Sequence, residues 1–502
     1  MNIAQILDKI GVREINGNLN KRASGISYDS RRIEKGTMFF AVKGQHSDGH
    51  AYIEEAIKKG AHSVIYEDEI DVDAFSGKDI LLVRVDNVRR ALAYVSARYY
   101  GDPSKELRLT GVTGTNGKTS TCYLMRSILT AYGKKSGMIG TIQYLVGDTV
   151  YSAYHTTPEA PEFQMYLNKM LAEGCEYVVS EISSHALAQY RVDAAEFDVV
   201  VFTNLTRDHL DYHKDMDDYF RSKKRLFNEL LKPGGVSVIN ADDEFGRELI
   251  KECLSRGTDV MAYGMDARAD VRAINIKRFA NGLDFGISYG GGQYSIVSNL
   301  RGYVNIYNIL AAFSASVALG IPYDAIIAGI SKLRSVRGRF EPVECGQDFS
   351  VIVDYAHTDD ALRNLIDSMK KLCTGRIITV FGCGGNRDTG KRPIMGRIAS
   401  TLSDYAIVTS DNPRYEDPGD IIRHIIDGIE GDSYTVEPDR KNAIKMAVNM
   451  AVPGDVVLIA GKGHENYQDI KGVRHPFDDR ELAEKFILKR LKDFGRPPEA
   501  IQ

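Results

Sequence analysis

The sequence predicts an α/β protein of three domains, each built on a largely parallel sheet flanked by helices. The chain has 502 residues, which is too long for one hydrophobic core and matches about three domains of ordinary size. Short segments rich in branched residues alternate with amphipathic helical segments along most of the chain, a pattern that favours parallel sheets. A strand, a glycine-rich turn and a helix follow one another at 107–121. That order places a P-loop-type sheet in the middle of the chain.

Two segments mark the domain boundaries. GDPSKE at 101–106 closes an N-terminal α/β unit, and SVRGRFEPVE at 335–344 leads into a second series of strands and helices. We therefore predict an N-terminal domain at 1–105, a central P-loop ATPase-type domain at 106–335 and a C-terminal Rossmann-like domain at 336–502, all of ordinary size.

The individual strands are predicted from short runs of branched residues between turn signals. Amphipathic helices are predicted after residue 118 and in the segment that ends at Gly320. The predicted strands cover 107–113, 177–183, 197–205, 235–240, 351–356, 376–382, 405–410 and 455–461.

Composition and charge indicate a globular enzyme and argue against a nucleic-acid-binding or membrane protein. Hydrophobic residues make up 43% of the chain and charged residues 26%, as in ordinary globular enzymes. The net charge of -4 argues against a nucleic-acid partner, which usually selects a basic surface. The six cysteines form no CxxC pair, which is typical of a reducing compartment. The N-terminal residues lack the pattern of a signal peptide, and no run of about 18 apolar residues occurs. We expect a cytoplasmic protein without a membrane span.

The segment LRLTGVTGTNGKTST at 107–121 has the order of elements that a phosphate-binding loop requires. Gly114 and Gly117 allow backbone N–H groups to curl around a phosphate, and the helix that follows adds positive potential at its N-terminus. Lys118 can reach the terminal phosphates of a nucleotide, and the Thr119 hydroxyl can ligate Mg²⁺.

The glycine spacing departs from the standard P-loop. Val112 occupies the place of the first glycine, and the glycines fall instead at 111, 114 and 117. A tight strand–helix turn without a ligand is the alternative interpretation. Because the GKT triplet and the strand–helix context coincide, we predict that the loop binds a nucleotide.

Two segments beyond the loop offer ligands for a metal ion. Glu181 ends a predicted strand, where doubly wound sheets present their ligand crevice. The segment TNLTRDHLDYH at 203–213 follows the next strand and contains Asp208, Asp211 and two histidines. Mg²⁺ prefers oxygen ligands, so His209 and His213 are as well explained as hydrogen-bonding loop residues as they are as ligands.

Two adjacent lysines, Lys223 and Lys224, lie in the predicted helix YFRSKKRLF at 219–227. Their spacing alone favours a solvated basic face.

The segment SDNPRYEDP at 410–418 combines opposite charges on one rigid turn. Pro413 fixes φ, and Asn412 before it is biased towards extended geometry. Arg414 offers a planar fork for a carboxylate, and Asp411 and Glu465 can pair with an ammonium group. This combination suits the zwitterionic end of an amino acid. The alternative is an Asn-Pro turn with a surface arginine.

Taken together, these motifs resemble the Mur ligase family. They are collinear from about residue 25 to 480, and GxxGxNGKT is the loop spacing of that family. The motifs are GTNGKT (114–119), HTTPE (155–159), EISSH (181–185), NLTRDHLDYH (204–213), YFRSK (219–223), NIYN (305–308), RGRFE (337–341) and VDYAH (353–357).

The resemblance implies an ATP-dependent ligase that requires Mg²⁺. It implies catalytic roles for Lys118, Glu181, His209 and Lys223, with Lys223 carbamylated to N6-carboxylysine, and metal contacts by Thr119, Glu181, His209 and the Lys223 carbamate. The implied ATP contacts are Gly114, Thr115, Asn116, Gly117, Lys118, Thr119, Asn305, Asn308, Arg339 and Asp354.

The segment ISYDSRRIEKGTMFFAVKGQHSDGH at 26–50 resembles the UDP-binding domain of the family members that add the third amino acid of the peptidoglycan precursor. The implied substrate is UDP-N-acetylmuramoyl-L-alanyl-D-glutamate (UDP-MurNAc-L-Ala-D-Glu), held by Ser30, His46, Thr156, Thr157, Ser183, Gln189 and Arg191.

In that family, DNPR resembles the signature for meso-2,6-diaminopimelate, whose distal carboxylate pairs with the arginine. The resemblance therefore implies a cytoplasmic enzyme of cell-wall biogenesis that adds meso-diaminopimelate to the D-glutamate γ-carboxylate through an acyl phosphate. The implied contacts to meso-diaminopimelate are Arg387, Asp411, Asn412, Pro413, Arg414, Gly461 and Glu465.

Other functions remain open at this point. A relative that adds lysine, a folylpolyglutamate synthase-like ligase and a non-enzymatic ATP-binding scaffold are the alternatives. The last would not need Glu181, His209 and Lys223 beside the loop. His185 and His357 are polar enough to assist proton removal, but the sequence assigns neither as a base. We expect a monomer whose C-terminal domain rotates inward when substrates bind.

Overall fold

The computed structural model describes residues 9–44, 47–279, 282–371 and 373–493. Within these ranges the chain forms sheets of 5, 11 and 6 strands, together with a separate two-stranded hairpin. The three large sheets follow one another along the chain, which confirms the predicted three-part α/β architecture. No helix in the described part of the chain is both long enough and apolar enough to cross a membrane.

The first sheet has the order β1-β5-β4-β3-β2, and only β1 runs antiparallel to its neighbour. Successive residues of a strand face opposite sides of the sheet. Phe39 accordingly packs with α1 on one face, and Met38 and Phe40 pack with α2 on the other. The elements are β1 (Val12–Asn16), β2 (Gly25–Ser27), β3 (Thr37–Phe40), α1 (Ile53–Lys58), β4 (Ser63–Tyr66), β5 (Leu81–Val85) and α2 (Val88–Tyr99).

The second sheet lies between two layers of helices. Its elements begin with β6 (Arg108–Thr113), α3 (Lys118–Ala131), β7 (Ser136–Ile139), β8 (Gln143–Val146), β9 (Thr149–Ser152), α4 (Ala160–Ala172), β10 (Tyr177–Glu181), α5 (Ser184–Ala188) and β11 (Phe197–Phe202). They continue with α6 (Met216–Asn228), β12 (Leu231–Asn240), α7 (Glu244–Ser255), β13 (Asp259–Gly264), β14 (Val271–Phe279), β15 (Gly282–Tyr289), β16 (Gly292–Ser298), α8 (Val304–Ala318) and α9 (Tyr323–Lys332).

The strand order of this sheet is β16-β15-β14-β13-β12-β11-β6-β10-β7-β8-β9. The strands from β14 to β7 are parallel, which confirms the prediction for the middle of the sheet. The edge strands β8, β9, β15 and β16 are antiparallel, and the sequence did not predict them. Both faces are buried, under α3, α8 and α9 on one side and α4, α6 and α7 on the other.

The third sheet has the order β17-β18-β22-β19-β20-β21 and is parallel except for the short edge strand β17. Parallel strands and crossover helices alternate along this domain, as the predicted Rossmann-like fold requires. The elements are β17 (Glu341–Pro342), β18 (Ser350–Asp354), α10 (Asp359–Lys370), β19 (Ile377–Phe381), α11 (Lys391–Leu402), β20 (Tyr405–Val408), α12 (Pro418–Ile426), β21 (Tyr434–Val436), α13 (Arg440–Met450), β22 (Val456–Ala460), β23 (Tyr467–Ile470), β24 (Val473–Pro476) and α14 (Asp479–Asp493).

Candidate active site

The glycine-rich loop joins β6 to α3 at the carboxyl edge of the central sheet. Gly114 and Gly117 adopt positive φ angles of 144° and 88°. A Cβ atom at Gly114 would lie 1.9 Å from Thr203 Oγ1, and one at Gly117 would lie 2.4 Å from Asn308 Oδ1. Both positions therefore require glycine for conformation and for space.

The segment after β11 holds this loop in shape. Thr115 N donates to Asn204 O at 2.9 Å, and Asn116 N donates to Asn204 Oδ1 at 2.9 Å. Thr203 Oγ1 donates to Asn116 O at 2.6 Å. Because β11 and β6 are neighbours in the sheet, the motif NLTRDH supports the phosphate loop directly.

Two lysines converge on the backbone of the loop. Lys118 Nζ donates to Gly114 O at 2.9 Å and to Thr115 O at 2.8 Å, and Lys223 Nζ donates to Gly114 O at 2.8 Å. Burial lowers the pKa of Lys118, and burial together with the charge of Lys118 lowers the pKa of Lys223 well below its usual range. An anionic group bound between them would favour the charged form of Lys118 and oppose this lowering of its pKa.

The structure separates the two adjacent lysines of α6. Lys223 is 1% exposed, and its Nζ lies 4.5 Å from the centroid of the Tyr219 ring. Lys224 faces α7 instead, where its Nζ forms an ion pair of 2.9 Å with Glu252. Lys223 thus faces the loop and Lys224 does not, so the interpretation of both as a solvated basic face is wrong for Lys223.

Hard oxygen donors lie beside the loop. Thr119 Oγ1 donates to Glu181 Oε2 at 2.9 Å, and Glu181 is 1% exposed at the end of β10. The same carboxylate accepts hydrogen bonds from Thr141 N at 2.8 Å and Thr141 Oγ1 at 2.9 Å. A buried carboxylate next to a hydroxyl is the donor set that Mg²⁺ prefers.

Two histidines, His185 and His209, lie close together in the site. The ring of His185 lies 4.8 Å from that of His209 between centroids, and His209 Nε2 lies 3.3 Å from Asp208 Oδ2. Burial lowers the pKa of His209 to about 3 and that of His185 to about 4. Both rings are therefore neutral at pH 7, as a metal-ligating imidazole must be. His209 also has a φ of 55°, which is strained for a residue with a Cβ atom.

A cavity of about 510 Å³ opens next to the loop, between the central sheet and the C-terminal sheet. Gly117 and Thr119 lie on one side of it, and Asn305 and Asn308 on α8 line its floor. The sequence-predicted residues of the C-terminal domain, Arg339 and Asp354, close the other side. Arg339 Nη2 donates to Thr119 Oγ1 at 3.1 Å.

Asp354 lines the same cavity from the end of β18. Its carboxylate accepts hydrogen bonds from Phe340 N at 2.6 Å and Ala356 N at 2.8 Å, so it also shapes the connection between the two domains. Burial raises the pKa of Asp354. All ten residues implied at ATP lie on the loop, on α8 or on the C-terminal wall of this cavity, although Gly114, Thr115 and Lys118 do not line the cavity itself.

The predicted dipeptide residues form a second group at the end of β10. Thr157 Oγ1 donates to Glu181 O at 2.8 Å and accepts from Ser183 N at 3.0 Å. Arg191 Nη1 donates to Thr157 O at 2.9 Å, and its Nη2 donates to Gln189 Oε1 at 2.8 Å. Thr156 joins the group through its Oγ1, which accepts from Thr141 Oγ1 at 3.1 Å.

The residues predicted at the uridine diphosphate, Ser30 and His46, belong to the N-terminal domain. Ser30 is 9% exposed and begins a short 3₁₀ turn, where its carbonyl accepts a hydrogen bond of 3.2 Å from Lys59 Nζ. His46, the other residue predicted at the uridine diphosphate, lies outside the described residues. Within the described part of the chain, no hydrogen bond or ion pair joins Ser30 to the dipeptide group.

The predicted amino-acid residues gather at the carboxyl edge of the C-terminal sheet. Asn412 Nδ2 donates to Glu465 Oε2 at 2.7 Å. Asp411 Oδ1 accepts from Asn412 N at 2.6 Å, and a Cβ atom at Gly461 would lie 2.6 Å from Asp411 Oδ2. Gly461 also has a φ of 119°, so this close approach depends on glycine. Pro413 follows Asn412 and is buried.

Arg414 adopts a φ of 52°, which is costly for a side chain of its size. Its Nη1 donates to Gly385 O at 2.7 Å, and a Cβ atom at Gly384 would lie 2.8 Å from that nitrogen. The strained backbone thus directs the guanidinium over the glycine-rich segment GCGG. Arg387 follows this segment by two residues and is half exposed, with its Nη1 3.9 Å from Asp211 Oδ2 in the central domain.

Sequence reasoning missed one fully buried lysine in this site. Lys462 Nζ donates to Asn412 Oδ1 at 3.0 Å and to Glu465 Oε2 at 3.2 Å, and its side chain is 0% exposed. Burial raises the pKa of Glu465, and the charge of Lys462 opposes that rise. The position of Lys462 between two glycines in GKGHE was the available signal.

The chain matches three family models, described as "Mur ligase family, catalytic domain" over residues 22–100, "Mur ligase middle domain" over 112–316 and "Mur ligase, glutamate ligase domain" over 338–463. A curated relative from Geobacter sulfurreducens is 44% identical over 96% of this chain and 97% of its own length. That relative is named UDP-N-acetylmuramoyl-L-alanyl-D-glutamate–2,6-diaminopimelate ligase.

Solved structures show the same architecture. One, titled as a UDP-N-acetylmuramoyl-L-alanyl-D-glutamate–2,6-diaminopimelate ligase, is 32% identical with a TM-score of 0.70 and covers 98% of this chain and 99% of its own. A MurF ligase from Thermotoga maritima, in complex with ADP, shares the fold at 18% identity with a TM-score of 0.64, covering 94% of this chain and 99% of its own. Because family models match most of the sequence and the similarity to curated relatives runs along nearly its whole length, this chain belongs to the Mur ligase family.

Proposed function

We propose that this protein is an ATP-dependent ligase that joins meso-2,6-diaminopimelate to the D-glutamate γ-carboxylate of UDP-MurNAc-L-Ala-D-Glu. The proposal depends on one observation above all. The phosphate loop and the buried cluster around Asp411 and Arg414 lie on different domains, and their neighbouring segments meet. Arg207 Nη2 lies 3.2 Å from Asp388 Oδ2, and Arg387 approaches Asp211. These contacts support an arrangement in which a phosphate donor and an amino acid reach the same carboxylate.

The reaction would proceed in two balanced steps. First, a γ-carboxylate oxygen attacks the terminal phosphorus of ATP, the bond to the β-phosphate oxygen breaks, and ADP leaves. The product is an acyl phosphate. Second, the amine at the L centre of diaminopimelate attacks the acyl carbon, loses a proton and expels inorganic phosphate, which leaves an amide. Positioning and charge stabilisation suffice for both steps, because no covalent enzyme intermediate is needed.

Several residues of this chain would carry the first step. Lys118 would neutralise charge on the transferred phosphoryl group from the start of α3, and Thr119 and Glu181 would supply oxygen donors for a Mg²⁺ ion. His209 and a carbamate of Lys223 would hold a second Mg²⁺. When bound, the ions would offset the negative charge of the phosphates and so ease nucleophilic attack by a carboxylate.

The environment of Lys223 supports carbamylation. Carbon dioxide reacts with a neutral amine, and burial lowers the pKa of this lysine well below its usual range. The lysine nitrogen would form a bond to the carbon of carbon dioxide and release one proton, so that a basic amine beside Lys118 becomes an anionic carbamate. The carbamate would attract the charge of Lys118 and add the kind of oxygen donor that Mg²⁺ prefers.

The C-terminal cluster would select the amino acid. Arg414 would pair with the distal carboxylate of diaminopimelate, and Asp411 and Glu465 would hold the ammonium group of the same distal centre. Lysine has no distal carboxylate, so it would leave the guanidinium without a partner. An unpaired polar group in a binding site discriminates strongly against the wrong substrate.

A panel assay tests the proposal. Purified protein would be given ATP, Mg²⁺, UDP-MurNAc-L-Ala-D-Glu and either meso-diaminopimelate, L-lysine or L-ornithine, and the mass of each product would be measured. We expect ADP release and a tripeptide product with meso-diaminopimelate, and at least ~100-fold lower kcat/KM with lysine. Equal efficiency with lysine would remove the proposed specificity. A lack of amino-acid-dependent phosphate release would remove the ligase itself.

A further inference from the structure

A fully buried ion pair lies beneath the proposed amino-acid site. Arg440 begins α13 and Asp479 begins α14, and both side chains are 0% exposed. Arg440 Nε donates to Asp479 Oδ1 at 2.8 Å, and its Nη2 donates to Asp479 Oδ2 at 2.8 Å. This two-pronged geometry is the strongest arrangement available to an arginine and a carboxylate.

The remaining donors of Arg440 reach two backbone carbonyls. Its Nη2 donates to Ala460 O at 2.9 Å, and its Nη1 donates to Ser410 O at 3.4 Å. Ala460 directly precedes Gly461, and Ser410 directly precedes Asp411. One guanidinium therefore spans the ends of β20 and β22, the two strands whose following residues form the proposed site.

We propose that Arg440, fixed by Asp479, is a positioning residue that sets the distance between the turn DNPR and the segment GKGHE for binding of the amino acid. This inference rests on the proposed function, because it assigns the amino-acid site to those two segments. Arg440 acts through the backbone and does not touch the substrate. Its planar fork can hold one carboxylate and two carbonyls at once, whereas a lysine ammonium is a single point charge that cannot match that geometry.

A second ion pair in the same sheet offers a comparison away from the site. Arg376 Nη2 lies 2.7 Å from Asp455 Oδ2, and Arg376 N donates to Asp455 Oδ1 at 2.8 Å. These residues precede β19 and β22, so they join the amino ends of parallel strands, at the edge opposite the site. The Arg376 side chain is half exposed, so Arg376→Lys changes an arginine–aspartate pair of the same domain that is less buried than that of Arg440, without touching the amino-acid segments.

The test compares Arg440→Lys, the double variant R440M/D479L and the control Arg376→Lys. The double variant replaces the buried pair by apolar side chains, a change that frequently preserves or raises stability. Folding of each full-length variant would be checked by thermal unfolding. KM would then be measured separately for meso-diaminopimelate, ATP and UDP-MurNAc-L-Ala-D-Glu.

We expect both Arg440 variants to raise the KM for meso-diaminopimelate by about 10- to 100-fold. A displacement of binding groups by about 1 Å can weaken their interaction with a substrate by this factor. The other two KM values should stay within about twofold, and Arg376→Lys should leave all three unchanged. If Arg440→Lys does not fold, the KM values of the double variant alone test the positioning role of Arg440.

Two results would overturn the inference while the wild-type enzyme still ligates diaminopimelate. One is an unchanged KM for diaminopimelate in folded R440M/D479L. The other is an equal rise in all three KM values, which would mean a general structural role. Failure of the wild-type enzyme to use diaminopimelate would instead remove the proposed function, so the two failures can be told apart.

Discussion

At the scale of single residues, the site is defined by charged groups that the fold holds away from water. Lys223 is the clearest case, because burial and the charge of Lys118 both disfavour a cation at its Nζ. The sequence could not separate Lys223 from Lys224 by spacing. Their separation depends on the rotation of α6 about its axis, which only the packed structure fixes.

Lys223→Ala should lower kcat by at least ~100-fold, because it removes the proposed carbamate ligand and the charge it supplies. Lys224→Ala is the matched control on the adjacent residue. It removes only partly exposed pairs with Glu248 and Glu252 and should leave kcat within about twofold. Steady-state kinetics at fixed ATP would measure both, and ¹³C NMR with labelled bicarbonate would detect the carbamate in the wild-type protein. Comparable activity of the two variants would contradict the role of Lys223.

Arg414→Ala should reduce kcat/KM for meso-diaminopimelate through the loss of a charge-assisted pair, roughly 1.5–3 kcal/mol or about 10- to 150-fold. Discrimination against lysine should shrink by the same factor. Arg423→Ala, at an exposed position on α12 of the same domain, serves as the control and should change neither value. Unchanged selectivity in Arg414→Ala would show that another group recognises the distal carboxylate.

At the scale of elements, strand ends place the chemistry. The phosphate loop, Glu181 and the segment from Thr203 follow β6, β10 and β11, which are adjacent parallel strands. Their carboxyl ends therefore meet at one edge of the sheet, as doubly wound folds require.

The loop itself is the element most sensitive to substitution. Gly114→Ala would force a Cβ atom to within 1.9 Å of Thr203 Oγ1 at a φ of 144°. We expect a loss of at least ~1–3 kcal/mol in unfolding free energy and no measurable ATP binding by calorimetry. Gly133→Ala is the control, since Gly133 also has a positive φ of 74° but no atom within 4 Å of the added Cβ. It should cost a similar backbone strain and leave ATP affinity unchanged. ATP binding by folded Gly114→Ala would contradict the proposed loop geometry.

All eight predicted strands occur in the structure, because branched runs between turns are a strong local signal. The hairpins β8–β9 and β15–β16 were missed although their turns are visible in the sequence. Gly147 and Asp148 separate two alternating segments, and Gly290 and Gly291 separate two others. Arg440 could not have been found by pattern, because its importance comes from burial against partners distant in the chain. For Lys462 the sequence offered only its place between two glycines.

At the scale of the whole molecule, the C-terminal domain lies against the phosphate loop. Arg339 reaches Thr119, and Asn116 Nδ2 donates to Asp360 Oδ2 at 3.1 Å. Together with the pairs of Arg207 and Arg387, these contacts bound the cavity beside the loop on the side of the third domain. The acyl phosphate proposed above would be better protected from hydrolysis if the domains closed further around it.

We therefore expect the radius of gyration in solution to fall when an ATP analogue and UDP-MurNAc-L-Ala-D-Glu are added together. The liganded value should match that calculated from the structure. Asp388→Asn removes the partner of Arg207 and should require more nucleotide for the same compaction. Glu430→Gln, which removes a surface partner of Arg397 within the C-terminal domain, should behave as wild type. Small-angle X-ray scattering would measure the change. An unchanged radius with both ligands would contradict closure.

The proposed transfer of phosphate to the substrate carboxylate can be followed by isotope. UDP-MurNAc-L-Ala-D-Glu with ¹⁸O in both oxygens of the D-glutamate γ-carboxylate would be converted with unlabelled ATP and meso-diaminopimelate, and the inorganic phosphate would be analysed by mass spectrometry. Since the attacking oxygen stays with the phosphorus when the amide forms, each phosphate should carry one ¹⁸O atom. Phosphate free of ¹⁸O, or release of AMP and pyrophosphate, would contradict an acyl phosphate made at this loop.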